Sequence, residues 1–354
     1  MTSKNCDLQR GTHNQQAGFT LLEMLIAITL FILVTGTIYG MLAVARADRF
    51  TVSRRVDAMQ SARNAINSIG RDVLNAGYGY PNVGGNLPQD RLFQILNLPF
   101  ATGPTPDPLT PIISGNNLNP NSLSGVNTDQ ITFVFQDVNF NNGQTLPVKS
   151  IAAGGNSVTI DTSGPDGITG TADDLVNPST LGTPNALYVI SGGTGSVVAT
   201  MTATPPGNTW NFANGDPLNI NQTGSSNIIK SVSAPATITK ITMVTYRVLN
   251  DGTLVRTVYG GAAPGQVDQP LAYNIENMQI QYVLKDGSIV DDPVAGPDGV
   301  TGNADDTPAK LQDVRQVRVT VTVQSPERDQ RNNQPVRIPL TCTFNTRNLG
   351  YDAR

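Results

Sequence analysis

The chain has 354 residues, with 23 basic and 27 acidic side chains and a formal net charge of −4. Mild acidity excludes a nucleic-acid surface of the usual kind, which needs a basic patch. Asp outnumbers Glu by 24 to 3, and Gly and Pro contribute 34 and 24 residues. That bias suits turns and β structure rather than helices. The length allows two domains, or one large domain with insertions.

The first element is an apolar run. Residues 18–45 begin Gly18-Phe19-Thr20-Leu21-Leu22-Glu23-Met24 and stay apolar through Ala45. Roughly 20 such residues suffice to cross a bilayer. A carboxylate in such a span costs about 2.5–3.5 kcal/mol on insertion scales, which makes Glu23 a functional candidate. A plain signal anchor would not need it. A polar leader ending in Gly18 followed by Phe19-Thr20-Leu21-Leu22-Glu23 resembles the processing site of type IV pilins and type II secretion pseudopilins. The resemblance implies cleavage after Gly18 by a prepilin peptidase and methylation of the new amino terminus at Phe19. It also implies that Glu23 pairs with the terminal amine of a neighbouring subunit and sets axial register during assembly. The alternative is a Glu23 merely tolerated at the interfacial edge of the span.

Loss of residues 1–18 removes Lys4, Arg10 and Asp7 and takes the net charge to −5. It also removes Cys6 and His13, the only histidine. One thiol, Cys342, would remain, so no internal disulfide could form. Without histidine there is no Ser-His or Cys-His nucleophile pair, and the commonest zinc ligand is missing. The chain is therefore expected not to be an enzyme. Flanking charge gives a contrary signal on topology. Lys4 and Arg10 precede the span, whereas Arg46, Arg49, Arg54 and Arg55 follow it. The positive-inside rule then puts the amino terminus outside. The pilin resemblance puts the leader in the cytoplasm, and long domains can translocate regardless of flanking charge.

Beyond Ala45 the run becomes amphipathic. Val52, Val56, Met59, Ile66, Ile69 and Val73 recur at helical spacings. One helix is expected over 19–76, with 19–45 transmembrane. Gly77, Tyr78, Gly79, Tyr80 and Pro81 end it. The stripe would pack on the globular part, a coiled coil being the alternative.

Residues 77–354 read as a β-rich exported domain, with a loop-rich insertion over 81–235. Candidate strands are 130–135, 157–161, 186–191, 196–201, 238–249, 253–259, 278–284, 314–323 and 336–344, which are β-branched and often alternate. Asn250-Asp251-Gly252 and Lys285-Asp286-Gly287 read as hairpin turns. Gly192-Gly193-Thr194-Gly195 reads as a loop, since no P-loop lysine follows it, and Trp210 as a core or loop residue. The expected class is α+β: a long amino-terminal helix packed on a mainly antiparallel sheet with large loop insertions.

Finer resemblances lie in four patches: Arg71-Asp72 with Ala76-Gly77-Tyr78, residues 274–282, residues 314–321, and Thr346-Arg347-Asn348-Leu349. They resemble PilW-type minor pilins, and part of the pattern resembles the GspJ-type pseudopilin. The resemblance implies a minor pilin that works with other minor and major pilins at the inner membrane and then in the pilus. A membrane-anchored adhesin or binding module using residues 85–235 is a further alternative.

One segment is duplicated. Residues 164–174, Gly-Pro-Asp-Gly-Ile-Thr-Gly-Thr-Ala-Asp-Asp, recur as 296–306 with changes only at Ile168/Val300 and Thr171/Asn303. Asp161 precedes the first copy, and Asp291 and Asp292 the second. Hard cations such as Ca²⁺ take six to eight oxygens, which Asp, backbone carbonyls and Asn or Thr supply. Asp161, Asp166, Asp173, Asp174, Asp291, Asp292, Asp298, Asp305 and Asp306 are thus candidate Ca²⁺ ligands. The spacing is not that of an EF-hand. A duplicated, solvated Pro-Asp-Gly turn is the plain alternative.

Overall fold

The computed structural model describes residues 18–98, 106–164, 167, 168, 170–172, 174, 178–261, 265–291, 313–328 and 333–349. Helix α1 runs Leu21–Asn75, within two residues of the bounds its sequence predicts. Its stop has a clear cause. Gly77 takes φ +78, which few other residues tolerate. Its N–H then leaves the helix and donates to the carbonyl of Val134 at 2.9 Å. The chain divides into two units between Arg54 and Arg55. In the first, Leu21–Arg46 is long and apolar enough to cross a membrane, and none of it is buried.

In the second unit the last turns of α1 bury Ala62, Ala65, Ile66, Ile69, Val73 and Ala76. These positions recur at three- and four-residue spacing and form one apolar stripe. The stripe packs into a core with Phe133, Tyr246, Leu254, Met278 and Val319. For Ile66, Ile69 and Val73 the packing makes the stripe a core face, whereas Val52 and Val56, expected in the same stripe, are exposed.

The strands in chain order are β1 (Gly85–Leu87), β2 (Asp107–Leu109), β3 (Ile112–Asn119), β4 (Thr128–Gln136), β5 (Leu146–Ile151), β6 (Ser157–Ile160), β7 (Leu187–Gly192) and β8 (Gly195–Thr200). They continue as β9 (Thr209–Asn211), β10 (Ala236–Val248), β11 (Leu254–Tyr259), β12 (Gln266–Ala272), β13 (Ile275–Leu284), β14 (Ile289–Val290), β15 (Val314–Arg328) and β16 (Pro335–Asn345). A short helix, α2 (Arg91–Leu96), follows β1. β1 to β12 form one 12-stranded sheet, and the rest form a second in the order β14-β13-β15-β16. Among the described residues pairing is antiparallel except for β1 with β8.

The two sheets are pinned by side chains of β4 and of the connection that precedes it. Asp129 in β4 accepts the Ile280 N–H of β13 at 2.7 Å and the Asn117 N–H at 2.8 Å. Asn121 donates to the carbonyls of Ile275 and Glu276 at 2.7 and 3.1 Å. Both expected hairpins form. Gly252 (φ +80) and Gly287 (φ +85) close three-residue turns, each donating its N–H back to the residue before the turn.

Residues 81–235 were expected to be loop-rich with four strands; among the described residues they carry β1 to β9, joined by long loops, and contribute to two hydrophobic clusters. One cluster centres on Trp210, whose ring meets Tyr188 and Phe140 edge-on at centroid distances of 5.3 and 6.3 Å. Several of these strands are three to six residues long. That is too short for alternation to show, and pairing with neighbours defines them.

Candidate functional site: the amino-terminal segment and the helix end

The amino-terminal segment is built around a reciprocal cap. The Thr20 backbone N–H and its hydroxyl both donate to a Glu23 carboxylate oxygen at 3.1 Å. The Glu23 N–H donates back to the Thr20 hydroxyl at 3.3 Å. Thr-x-x-Glu is a capping box: it satisfies N–H groups that the first turn leaves free, and it sets a negative charge at the positive end of the helix dipole. The carboxylate is thus held at a fixed place beside residue 19. The Thr-x-x-Glu signature of this cap is written in the sequence at Thr20 and Glu23.

Phe19 is 85% exposed. A Cβ at Gly18 would meet nothing within 4 Å, so packing within the chain does not demand glycine there. In the apolar span Thr29 and Thr37 donate their hydroxyls to the carbonyls of Ile26 and Val34, each at 2.8 Å. Their polar atoms are therefore satisfied without water, as hydrocarbon surroundings require.

The four sequence patches of the globular part converge on the other end of α1. Asp72 accepts the Tyr246 hydroxyl at 2.6 Å and the Arg256 Nε–H at 2.9 Å. Ser68 joins through its contact with the Tyr246 hydroxyl at 3.0 Å. Burial, then the Asp72 charge, pushes the Tyr246 phenol well above its ordinary range. Asn348 donates its side-chain amide to the carbonyl of Leu74, two residues beyond Asp72, at 3.0 Å and caps the helix end. Leu349 is buried in the same core as the α1 stripe. A Cβ on Gly77 would lie 2.7 Å from the Asn348 carbonyl oxygen, and one on Gly70 would lie 2.3 Å from the Phe344 ring. Residues 274–282 are β13 with its entry, and 314–321 lie in β15. Thr346 donates to the Val314 carbonyl at 2.9 Å.

Of the nine candidate Ca²⁺ ligands, Asp166, Asp173, Asp292, Asp298, Asp305 and Asp306 lie outside the described residues. Asp161 accepts the Ser163 hydroxyl and N–H at 2.7 and 3.1 Å, which hold its carboxyl below the usual range. Asp174 accepts the Gly170 N–H and, at 3.3 Å, the Thr171 hydroxyl. Asp291 accepts from Gln281 at 3.1 Å. Among the described residues no group of three or more His, Cys, Asp or Glu is placed to hold a metal ion. Gly192 to Gly195 form the turn between paired β7 and β8.

The family model for the prokaryotic N-terminal methylation motif matches residues 13–39. No curated protein and no solved structure matches the chain. The motif and the exposed apolar helix behind it support a type IV pilin-like or pseudopilin protein. The same motif implies processing by prepilin peptidase, pilin partners, and a precursor anchored in the inner membrane.

Proposed function

We propose that this chain is a minor pilin of a type IV pilus, cleaved after Gly18 and N-methylated at Phe19. It would help initiate assembly or stand in the tip complex. The observation that carries this reading is the methylation motif at 13–39, set directly on an unburied apolar span. The span belongs to the helix whose last turns build the core of the β domain. Residues 81–235, which supply β1 to β9, favour a tip position, because such bulk would crowd neighbours in a repeating shaft. The PilW-type patches at 71–78, 274–282, 314–321 and 346–349 favour this class of minor pilin. A GspJ-like pseudopilin shares the motif and is the second reading. In either case the role is structural rather than catalytic, and Glu23 is the residue that pairs with the amine of the next subunit. A buried carboxylate is tolerable when so paired.

The test is the mass of the amino-terminal peptide in sheared filaments and in the envelope. A peptide beginning at methylated Phe19 in filaments is the expected result, and Glu23→Ala should confine it to the envelope. The same wild-type peptide found only in the envelope would favour the pseudopilin. An uncut leader in both fractions would overturn the processed-subunit reading and leave a membrane-anchored binding module.

A further inference from the structure

The strongest unassigned charge in the amino-terminal unit sits where the apolar span ends. Arg46 is the last residue of the span, and Arg46, Asp48 and Arg49 are all exposed. At 1.5 Å per residue, Arg46 stands about 38 Å and Arg49 about 42 Å along the axis from Leu21. The hydrocarbon layer is about 30 Å thick, and about 40–45 Å with headgroups. A span beginning at Leu21 therefore leaves the hydrocarbon near Gly40. The headgroup layer beyond is about 5–8 Å deep, so Arg46 stands at its outer edge and Arg49 about 4–5 Å past it, from where the long side chains reach back to the phosphates.

Tyr39 supports the same placement. It is 74% exposed and lies seven residues before Arg46, on the same helix face. An amphipathic ring at that depth is the usual interfacial anchor. Arg46 and Arg49, three residues apart, are also neighbours on the helix surface. Guanidinium groups match phosphate oxygens in a bidentate geometry, which an ammonium cannot do.

We propose that Arg46 and Arg49 form a binding site for the phosphate of anionic phospholipid at the carboxyl-terminal edge of the span. The inference rests on the reading of this helix as the membrane anchor of a pilin-like precursor. It explains why basic residues flank the span on the side that the pilin topology exports. There they hold the precursor to acidic headgroups until assembly withdraws it.

The test uses the full chain in nanodiscs of phosphatidylcholine with phosphatidylglycerol, released for native mass spectrometry. Wild-type protein should retain phosphatidylglycerol over phosphatidylcholine by about fivefold, the effect of one net positive charge near an anionic surface. Arg46→Gln with Arg49→Gln should abolish the preference, and Arg63→Gln, on the exposed side of α1 farther along, should keep it. Reconstitution in 1 M salt, where the screening length is about 3 Å, should weaken it. Equal retention of both lipids by wild-type protein, or a preference that survives the double substitution, overturns the proposal. Equal retention would instead leave the arginines for an acidic protein partner. Lys4 and Arg10 of the leader are common to every variant, so the readout is the difference between variants. An uncut amino terminus with the lipid preference intact defeats the processing reading alone, and a processed one without the preference defeats this proposal alone.

Discussion

Asp72 in α1 and Arg256 in β11 form an ion pair at 2.9 Å, with Asp72 only 7% exposed. The pair joins the helix to the sheet across 184 residues of sequence, and the Tyr246 hydroxyl completes the carboxylate's shell. Removing one partner of a buried pair strands the other charge and costs about 3 kcal/mol or more. Asp72→Ala should therefore lower the urea midpoint of the chain sharply. Arg256→Met added to it should recover part of the loss. No recovery would mean that Asp72 acts through Tyr246 alone.

Gly70 offers a prediction of unusual sign. Gly-to-Ala in a helix interior ordinarily stabilises by about 1 kcal/mol. Here the new methyl group would fall within 2.3–2.7 Å of the Phe344 ring. Overpacking of this kind costs about 1–3 kcal/mol, so Gly70→Ala should destabilise. Phe344→Leu in the same chain should restore stability toward that of Phe344→Leu alone. A stabilised Gly70→Ala would show that the ring moves aside freely.

Asp107 in β2 supplies a pH dependence. Burial pushes its carboxyl from the ordinary 3.8 up to about 6, against the opposing pull of the Leu92 N–H and with the help of the Asp90 charge. Below about pH 4 the folded and unfolded chains are both protonated at this group. Between there and about 6 the folded chain keeps a proton that the unfolded chain releases. Stability from this group therefore falls as pH rises through that window. Asp107→Asn can still accept the Leu92 N–H bond and should flatten the fall. Urea midpoints of both proteins at pH 4.5 and 7.5 decide it.

The repeated segments 164–174 and 296–306 predict a response to Ca²⁺. Extracellular sites typically bind at about 10⁻⁴–10⁻³ M. Saturation in several millimolar Ca²⁺ should raise the melting temperature by about 2–4 °C over that in EDTA. Asp166→Ala or Asp298→Ala should each remove part of the gain. An unchanged melting temperature would reduce the loops to solvated turns.

How far the sequence carried the fold depended on how each strand earns its place. β4, β6 to β8, β10, β11, β13, β15 and β16 are apolar or β-branched enough to be read directly, and each appears near its expected bounds. β12 was not legible, because its first five residues are all exposed. It is held instead by pairing with β11 and by the grip of Arg247 on Asp268 at 2.9 and 3.2 Å. β3 contains Gly115 and a left-handed Asn117, poor strand formers, and depends on Asp129 from β4. Such strands are written in long-range hydrogen bonds, which no local window contains. At the candidate site, Glu23 stood out in the sequence because a charge inside an apolar run is anomalous by itself, and Gly18 and Phe19 through their resemblance to a prepilin processing motif. The partnership of Asp72 with Arg256 and Tyr246 could not be read, since nothing local links residues so far apart.

β10 has a role beyond its length. Its first half, Ala236–Ile241, pairs with β5 and β7, and its second, Ile241–Val248, with β4 and β11. One unbroken backbone thus serves the core around Trp210 and the core that receives the α1 stripe. Neither core can come apart without baring the ladder groups of a strand the other still clamps. The consequence is cooperativity. Trp210 fluorescence, from one core, and hydrogen exchange of the α1 amides between Ala62 and Ala76, from the other, should report a single unfolding transition. A subunit of this build yields to mechanical load as a whole rather than shedding one layer at a time.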